Sequence, residues 1–370
     1  MTIKILSIYD WMQMFNNKKI SKSFFLNNYK VKTVNKLIPL KNYIKKINLD
    51  KVDIDIIYFH FVTNKLTYLT NFYNTSLKLY ECDYNKLNGT LSNNKNPRCK
   101  NIIRNIYYKD ILLYTQTGIA NVRPFLEVLL DLFNNEIIDY KLLTPSALAM
   151  FKKKLFASLL SGFYFRSSIL NPNVINNLHK TLKGSKIFTP TLGWSSYMLG
   201  FLSTNKVSEY VGTDVIQEVC DNTRSLAKIQ YPETYTDIFC VQSEKLLKNT
   251  RFKKKYGSDH FDTIFFSPPY YKLELYRGSK QSTNLYDSYE VWLKKYWEET
   301  IKLCRKVIKK KGTLCYIISN YGDKINMNND MNKITNKYFK LKKTLSLGNS
   351  NVNFTKHRET GEKIFIFKPI

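Results

Sequence analysis

Apolar and polar positions follow three different patterns along the chain, and each predicts a different kind of structure. Up to about residue 110, short strand-like apolar runs (Ile54–Ile57, Phe59–Val62) stand between lysine-rich segments, which predicts an α+β region. The stretch from Asn85 to Lys100 carries Gly89 and Pro97 among asparagines and lysines and reads as a loop. From Arg123-Pro124 the period turns helical, with Phe125, Val128, Leu129 and Leu132 on one face. A second helix opens at Thr144-Pro145 and runs through Leu148, Phe151, Leu155 and Leu159.

From Lys186 onward strands and helices alternate. Strands are predicted at Ile187-Phe188, Tyr210–Asp214, Ile238–Val241, Phe261–Phe266, Thr313–Ser319 and Lys363–Phe367. Helices are predicted over Ser195–Leu202, Ile216–Lys228 and Tyr289–Lys309, with a turn at Lys311-Gly312. Such alternation predicts an α/β domain with a mostly parallel, doubly wound sheet. The chain then divides into a basic N-terminal α+β region (1–120), a helical segment leading into the core (121–185) and the α/β domain (186–370). Ligands of doubly wound sheets sit beyond the carboxyl ends of the strands, so the residues that follow each strand are the candidates for chemistry.

One of those positions stands out. Ser267-Pro268-Pro269-Tyr270 directly follows the apolar strand Thr263–Phe266. Two prolines can neither continue a central strand nor enter a helix interior, so they make a stiff turn at the strand's carboxyl end. The Ser267 oxygen and the Pro268 carbonyl are acceptors there, and Tyr270 offers a flat face for a base taken out of its helix. A fixed acceptor that takes the N–H of an aromatic amine makes its nitrogen more nucleophilic, and positioning supplies much of the rate. Elsewhere, Gly193 lies in the turn Thr189-Pro190-Thr191-Leu192-Gly193-Trp194-Ser195-Ser196. Asp214 ends a strand 21 residues further on, close to the offset of about 20 expected between a phosphate- or cofactor-binding turn and a ribose-binding acid. An acid in that place is also a common helix cap.

From Leu170 to Ile370, a little over half the chain, the sequence resembles the amino-methyltransferases that modify DNA adenine at N6 or cytosine at N4. Their D/N/S-P-P-Y/F/W motif is matched by Ser267–Tyr270, and the extension from Tyr271 to Ser282 is similar to that of predicted methylases of phages and large DNA viruses. The resemblance implies a Rossmann-like class I methyltransferase fold, S-adenosylmethionine as cofactor, and Ser267, Pro268, Pro269 and Tyr270 as the catalytic set. It implies cofactor contacts at Thr189, Pro190, Gly193, Asp214 and Gln242 or Ser243, where Thr189 and Ser195 replace the family's acid and second glycine. Tyr271, Glu274 and Tyr276 are candidates for the wall of the base pocket. Phe165-Arg166 to Asn171-Pro172 stands where the family binds the methionine part of the cofactor. A serine at the first motif position leans toward cytosine N4. The 74 residues between Gly193 and Ser267 leave no room for a target-recognition domain, so recognition falls to residues 1 to about 150. An RNA base methyltransferase and an inactive fold kept for binding nucleic acid or as a virion component are the alternatives.

Charge supports a polyanionic partner. The chain has 58 basic against 29 acidic side chains, a formal net charge of +29, which attracts nucleic acid. Heavy use of Lys, Asn, Ile, Tyr and Phe also fits an AT-rich genome, which by itself raises the lysine count. No apolar run of about 18 residues predicts a membrane span, and the start of the chain does not read as a signal peptide. The six cysteines (82, 99, 220, 240, 304, 315) form no C-x-x-C pair and the four histidines do not cluster with them. No metal site or disulfide framework is expected, and a reducing compartment follows: the cytoplasm, or a viral factory or virion for a viral source.

Overall fold

A computed structural model describes residues 19–63, 91–93, 100, 103–104, 106–107, 110–111, 114–118, 124–152, 159, 163–164, 167–321, 325–347 and 361–370. The chain divides into two compact units: residues 1–76 with 104–168, and residues 77–103 with 169–370.

In the first unit, α1 (Lys22–Asn28) is capped by Ser21, whose hydroxyl accepts from the Phe24 N–H. It leads to a small sheet in which β1 (Lys30–Lys32) lies between antiparallel β2 (Leu37–Pro39) and parallel β3 (Ile137–Asp139). The unit also holds α2 (Leu40–Lys46), α3 (Lys51–Tyr58), α4 (Phe125–Asn135) and α5 (Pro145–Lys152). The runs at Ile54–Ile57 and Phe59–Val62 are not strands but lie in α3 and in the π-helical turn Phe59–Thr63. Asp50 decides this: its carboxylate accepts the Asp53 N–H at 2.7 Å and starts the helix, which a short apolar run leaves open. The helical periods after Arg123 and Thr144 appear as α4 and α5, with Val128, Leu132, Leu148 and Phe151 buried. Leu155, Phe165, Arg166, Gly89 and Pro97 lie outside the described residues.

The second unit holds one seven-stranded sheet. In chain order its elements are α6 (Pro172–Leu182), β4 (Lys186–Thr189), α7 (Ser196–Leu202), β5 (Glu209–Asp214), α8 (Gln217–Gln230), β6 (Tyr235–Cys240), α9 (Thr250–Tyr256) and β7 (Phe261–Phe266). There follow α10 (Tyr289–Trp292), which continues through a π-helical turn into α11 (Glu298–Val307), then β8 (Ile308–Ile318), α12 (Met327–Thr335), β9 (Phe339–Ser346) and β10 (Lys363–Pro369). The order across the sheet is β9-β10-β8-β7-β4-β5-β6, with β10 antiparallel to both its neighbours and the strands from β8 to β6 parallel. The central strands are buried on both faces, Ile187, Phe188, Ile264, Phe265, Phe266, Leu314 and Tyr316 all fully, as parallel strands between helical layers must be. This is a Rossmann-like class I methyltransferase fold.

The chain begins the sheet at β4, runs outward through β5 to β6, then returns to the far side of β4 as β7. The point of reversal lies between β4 and β7, where helices leave in opposite directions and a crevice opens. Asp262 holds these two strands together at their other ends. One of its oxygens accepts the N–H of Ser185 at 3.0 Å and of Lys186 at 2.9 Å, and the other accepts Lys309 Nζ at 2.7 Å. Gly184 makes the approach feasible: at φ +91° it is left-handed, and a Cβ there would stand 2.6 Å from the Asp262 Cβ.

Three elements escaped the sequence pattern or differ from it. α6 is announced by Asn171-Pro172, a cap and a first-turn proline, with the Asn171 oxygen accepting the Asn173 N–H at 3.0 Å. β9, an edge strand with burial on few positions, carries no alternation to read. Lys311-Gly312 is not a turn: β8 starts at Ile308 directly after α11, and its pairing to β7 shifts register between Ile308 and Thr313.

Burial alone would raise the Asp262 pKa, but Lys309 and the two amides outweigh it and hold the carboxyl below the ordinary carboxylate range. Asp262→Ala strands two backbone donors and one ammonium, and is expected to cost about 2 kcal/mol, read from urea denaturation at neutral pH. Because the folded value is depressed, this stabilisation is present above the unfolded pKa of about 3.9 and is lost as pH falls through the folded value; the two proteins should converge in acid.

Candidate active site

The residues beyond β4 form an unusual turn. Gly193, Trp194 and Ser195 have φ of +50°, +59° and +61°, three left-handed residues in succession. Glycine enters this region freely, whereas other residues do so at a cost of roughly 1–2 kcal/mol. Ser195 stands where the family resemblance has its second glycine, and it adopts the backbone that glycine would supply. Its buried hydroxyl lies 2.6 Å from Thr223 Oγ1 on α8, which anchors the turn from below. The place of a Gly193 Cβ is taken by the ring of Tyr197, with Cζ 2.2 Å away. Thr189 does not face this turn: it is fully buried and its hydroxyl pairs with the Tyr210 hydroxyl at 2.6 Å, inside the sheet. Pro190 follows it, buried at the first bend.

Tyr197 connects this turn to the Ser-Pro-Pro-Tyr segment. Its hydroxyl accepts the Ser267 N–H at 3.2 Å and donates to the Ser267 carbonyl at 3.3 Å. Thr191 Oγ1 donates to the same carbonyl at 3.3 Å. Burial pushes the Tyr197 phenol far above its ordinary pKa, so it stays a donor. The Ser267 hydroxyl donates to the Ile317 carbonyl of β8 at 3.0 Å. A carbonyl can only accept, so the hydroxyl proton is committed to β8 and the remaining lone pairs of Oγ can only accept. Pro268 is buried; Pro269 and Tyr270 are half-buried. The Tyr270 ring lies parallel to that of Tyr321, centroids 6.0 Å apart and planes within 12°, and its hydroxyl accepts from Ser319 Oγ at 3.5 Å. Burial pushes the Tyr270 phenol well up. The Tyr321 hydroxyl is buried without a hydrogen-bond partner among the described residues.

Asp214 closes the other side of the crevice. One oxygen accepts the N–H groups of Val215 (2.8 Å) and Ile216 (3.1 Å); the other accepts the Leu192 N–H at 3.2 Å. It therefore ties the end of β5 to the turn beyond β4. Burial raises its carboxyl above the ordinary range, opposed by the three amides. Helix α8 starts from Ile216 with no side-chain cap, so the helix-cap role for Asp214 does not apply. Beyond β6, Gln242 Nε2 donates to the Lys280 carbonyl at 3.5 Å, whereas Ser243 is buried with its hydroxyl 3.1 Å from Thr300 on α11. Of that pair only Gln242 meets the loop side.

The segment after the prolines spans these loops. Tyr276 packs edge-on against Trp194 with centroids 5.9 Å apart, Arg277 pairs with Glu218 on α8, and Lys280 meets Gln242. Glu274 is buried and accepts the Tyr276 hydroxyl. Tyr271 instead turns toward α10, donating to the Asp287 carbonyl at 2.6 Å and lying 5.9 Å from the Trp292 ring. The sequence analysis missed Thr191, Tyr197, Tyr321 and Thr223. Tyr197 shows in the sequence only as part of the helix that follows the Gly193 turn, and Tyr321 carries no sequence signal. Among the described residues no group of three His, Cys, Asp or Glu is placed to hold a metal, and no helix is long and apolar enough to cross a membrane.

No family model matches the chain, and no curated protein matches it. Solved structures overlap it loosely. TrmN from Thermus thermophilus is 11% identical over 54% of this chain and 49% of its own, with a TM-score of 0.38. A TehB-like SAM-dependent methyltransferase from Corynebacterium glutamicum is 11% identical over 61% of this chain and 100% of its own, at 0.35. An rRNA methylase from Streptococcus thermophilus is 10% identical over 55% and 99%, at 0.34. The fold assignment rests on the strand order and pairings, to which overlaps this loose add nothing.

The turn predicts two opposite outcomes. Gly193→Ala must displace the Tyr197 ring and strain the backbone, and is expected to cost about 2 kcal/mol or more in thermal unfolding. Ser195→Gly relieves a left-handed residue but removes the hydroxyl that Thr223 holds, and should stay within about 1 kcal/mol of the parent.

Proposed function

We propose that the chain transfers a methyl group from S-adenosylmethionine to the exocyclic amino group of a nucleic-acid base, with N4 of cytosine in DNA favoured over N6 of adenine. The observation that carries this reading is the Ser267–Tyr270 turn, held beside the Gly193 turn by both polar atoms of the Ser267 backbone. The donor set fits the cofactor. Gly193 yields the place of a side chain to the Tyr197 ring, which fixes the turn, Asp214 presents a half-buried carboxylate with accepting capacity left at the end of β5, and Gln242 lies beyond β6.

When bound, the cofactor supplies an electrophilic methyl group. The chain's own residues then have separate tasks. Asp214 accepts the ribose hydroxyls, and Gln242 serves the adenine. Ser267 Oγ and the Pro268 carbonyl accept from the amino group of the base, which orients its nitrogen lone pair toward the methyl carbon. Tyr270 stacks on the extruded base. Serine serves here where aspartate or asparagine is common because its proton is already given to Ile317, making it an acceptor as one-sided as a carboxylate oxygen.

Labelled-methyl transfer onto DNA and RNA, preceded by calorimetric titration with S-adenosylmethionine, tests the reading. Micromolar cofactor binding and label on DNA are expected. Label on RNA alone would move the substrate to RNA, and no cofactor binding by folded protein would make this an inactive fold. Ser267→Ala should lower kcat by roughly tenfold to a hundredfold with cofactor affinity kept, about 1.4–3 kcal/mol of lost acceptor. The cofactor's hydroxyls favour ionised Asp214, so affinity should be full above the raised Asp214 pKa and fall as pH drops through it; Asp214→Asn should bind weakly with no such dependence.

A further inference from the structure

The far end of the same sheet carries a second feature that methyl transfer does not use. A cleft of about 490 Å³ opens at the amino end of β8, lined by Lys310, Lys311, Lys340, Lys342 and Lys368 with Pro369 and Ile370. The lysines come from three adjacent strands, β8, β9 and β10. Among the described residues no acidic side chain lines the cleft. Arg305 Nη2 donates to the Ile370 main-chain oxygen at 2.6 Å, so that oxygen is occupied.

The arrangement is costly as it stands. Lys340 and Lys368 are directly opposed across the β9–β10 ladder, a pairing in which like charges repel. The Lys368 ammonium is drawn inward, donating to the Lys311 carbonyl at 2.9 Å and to Thr313 Oγ1 at 2.8 Å. Burial and then the nearby Lys342 lower its pKa. Protection of the exposed edge strand accounts for lysines on β9. It does not account for Lys368 on β10, which is flanked on both sides, or for Lys310 and Lys311 on β8.

We propose that this cleft binds the sugar-phosphate backbone of nucleic acid, at a place separate from the base-reading turn. The spacing points to a polymer. Tyr316 of β8 is level with Phe266, so Ser267 lies near the carboxyl end of β8, and Lys310 is eight residues before Ile318, about 25 Å away along the strand. A ligand that reaches both ends of the sheet is an extended polyanion, and one phosphate would leave most of the five ammonium groups unpaired. The cleft belongs wholly to the second unit, whereas the sequence had pointed to residues 1 to about 150 for nucleic-acid contacts.

The test is fluorescence anisotropy with labelled 30-nucleotide DNA and RNA, on the full chain and without cofactor, so that failure of methyl transfer does not affect it. One variant carries K310E, K340E and K342E. A second carries K253E, K254E and K255E, the same charge change on exposed positions of α9. The first should bind at least tenfold more weakly at about 0.1 M salt, with the log–log salt slope reduced by about 2, near 0.7 for each phosphate of a single strand no longer neutralised. The second should stay within a few-fold of the parent. Equal weakening by both sets would reduce the effect to net charge and overturn the proposal, as would no weakening by the first. Loss of binding to phosphatidylserine vesicles with nucleic-acid binding intact would also overturn it. If the charge reversals unfold the protein in a urea titration, K310Q, K340Q and K342Q give the same readouts with a smaller change of charge and a slope change of the same sign.

Discussion

The hydroxyl of Tyr197 lies between the amide and the carbonyl of one residue, Ser267, and the arrangement of the crevice depends on that contact. The two turns come from strands that are neighbours in the sheet but far apart in sequence, and nothing in a parallel ladder sets how their ends meet once the pairing stops. A short rigid ring, buried at its root against Phe265 and standing where a Gly193 Cβ would be, makes the position of one turn a condition on the other. The left-handed run from Gly193 to Ser195 is the strained side of this arrangement, sustained by the Thr223 hydroxyl beneath and the Asp214 carboxylate at Leu192.

The polar groups of the crevice sort by what they have left to offer. Thr189, Ser243 and Tyr197 are committed to protein partners, while Ser267 gives away its proton and keeps its lone pairs. Asp214 has three amides on two oxygens, fewer than a carboxylate can accept. Chemistry here follows from unused hydrogen-bonding capacity more than from charge.

Much of this fold was readable from the sequence because buried parallel strands are written as apolar runs; Phe261–Phe266 appears with the bounds its sequence suggests. The Ser-Pro-Pro-Tyr turn was readable because proline restricts its own backbone. What escaped reading depends on partners distant in sequence. That Thr189 would face Tyr210 and Ser243 face Thr300 is a matter of side-chain direction at strand ends, where period-two alternation breaks down. Ser195 is the instructive case: a letter-by-letter comparison scores it as a lost glycine, while its backbone keeps the glycine shape. β9 went unseen because an edge strand of mostly exposed positions has no apolar face to announce it.

The segment from Tyr276 to Lys280 touches the turn beyond β4, the first turn of α8 and the loop beyond β6 in order, through Trp194, Glu218 and Gln242. These are an edge-on ring contact, one half-exposed ion pair and one long hydrogen bond, each weak and each broken without unfolding anything beneath. The consequence is mechanical. The turn beyond β4, the start of α8 and the loop beyond β6 are braced to one another by a strip whose own contacts are weak, so a substitution at Arg277 loosens the brace while the sheet beneath keeps its stability.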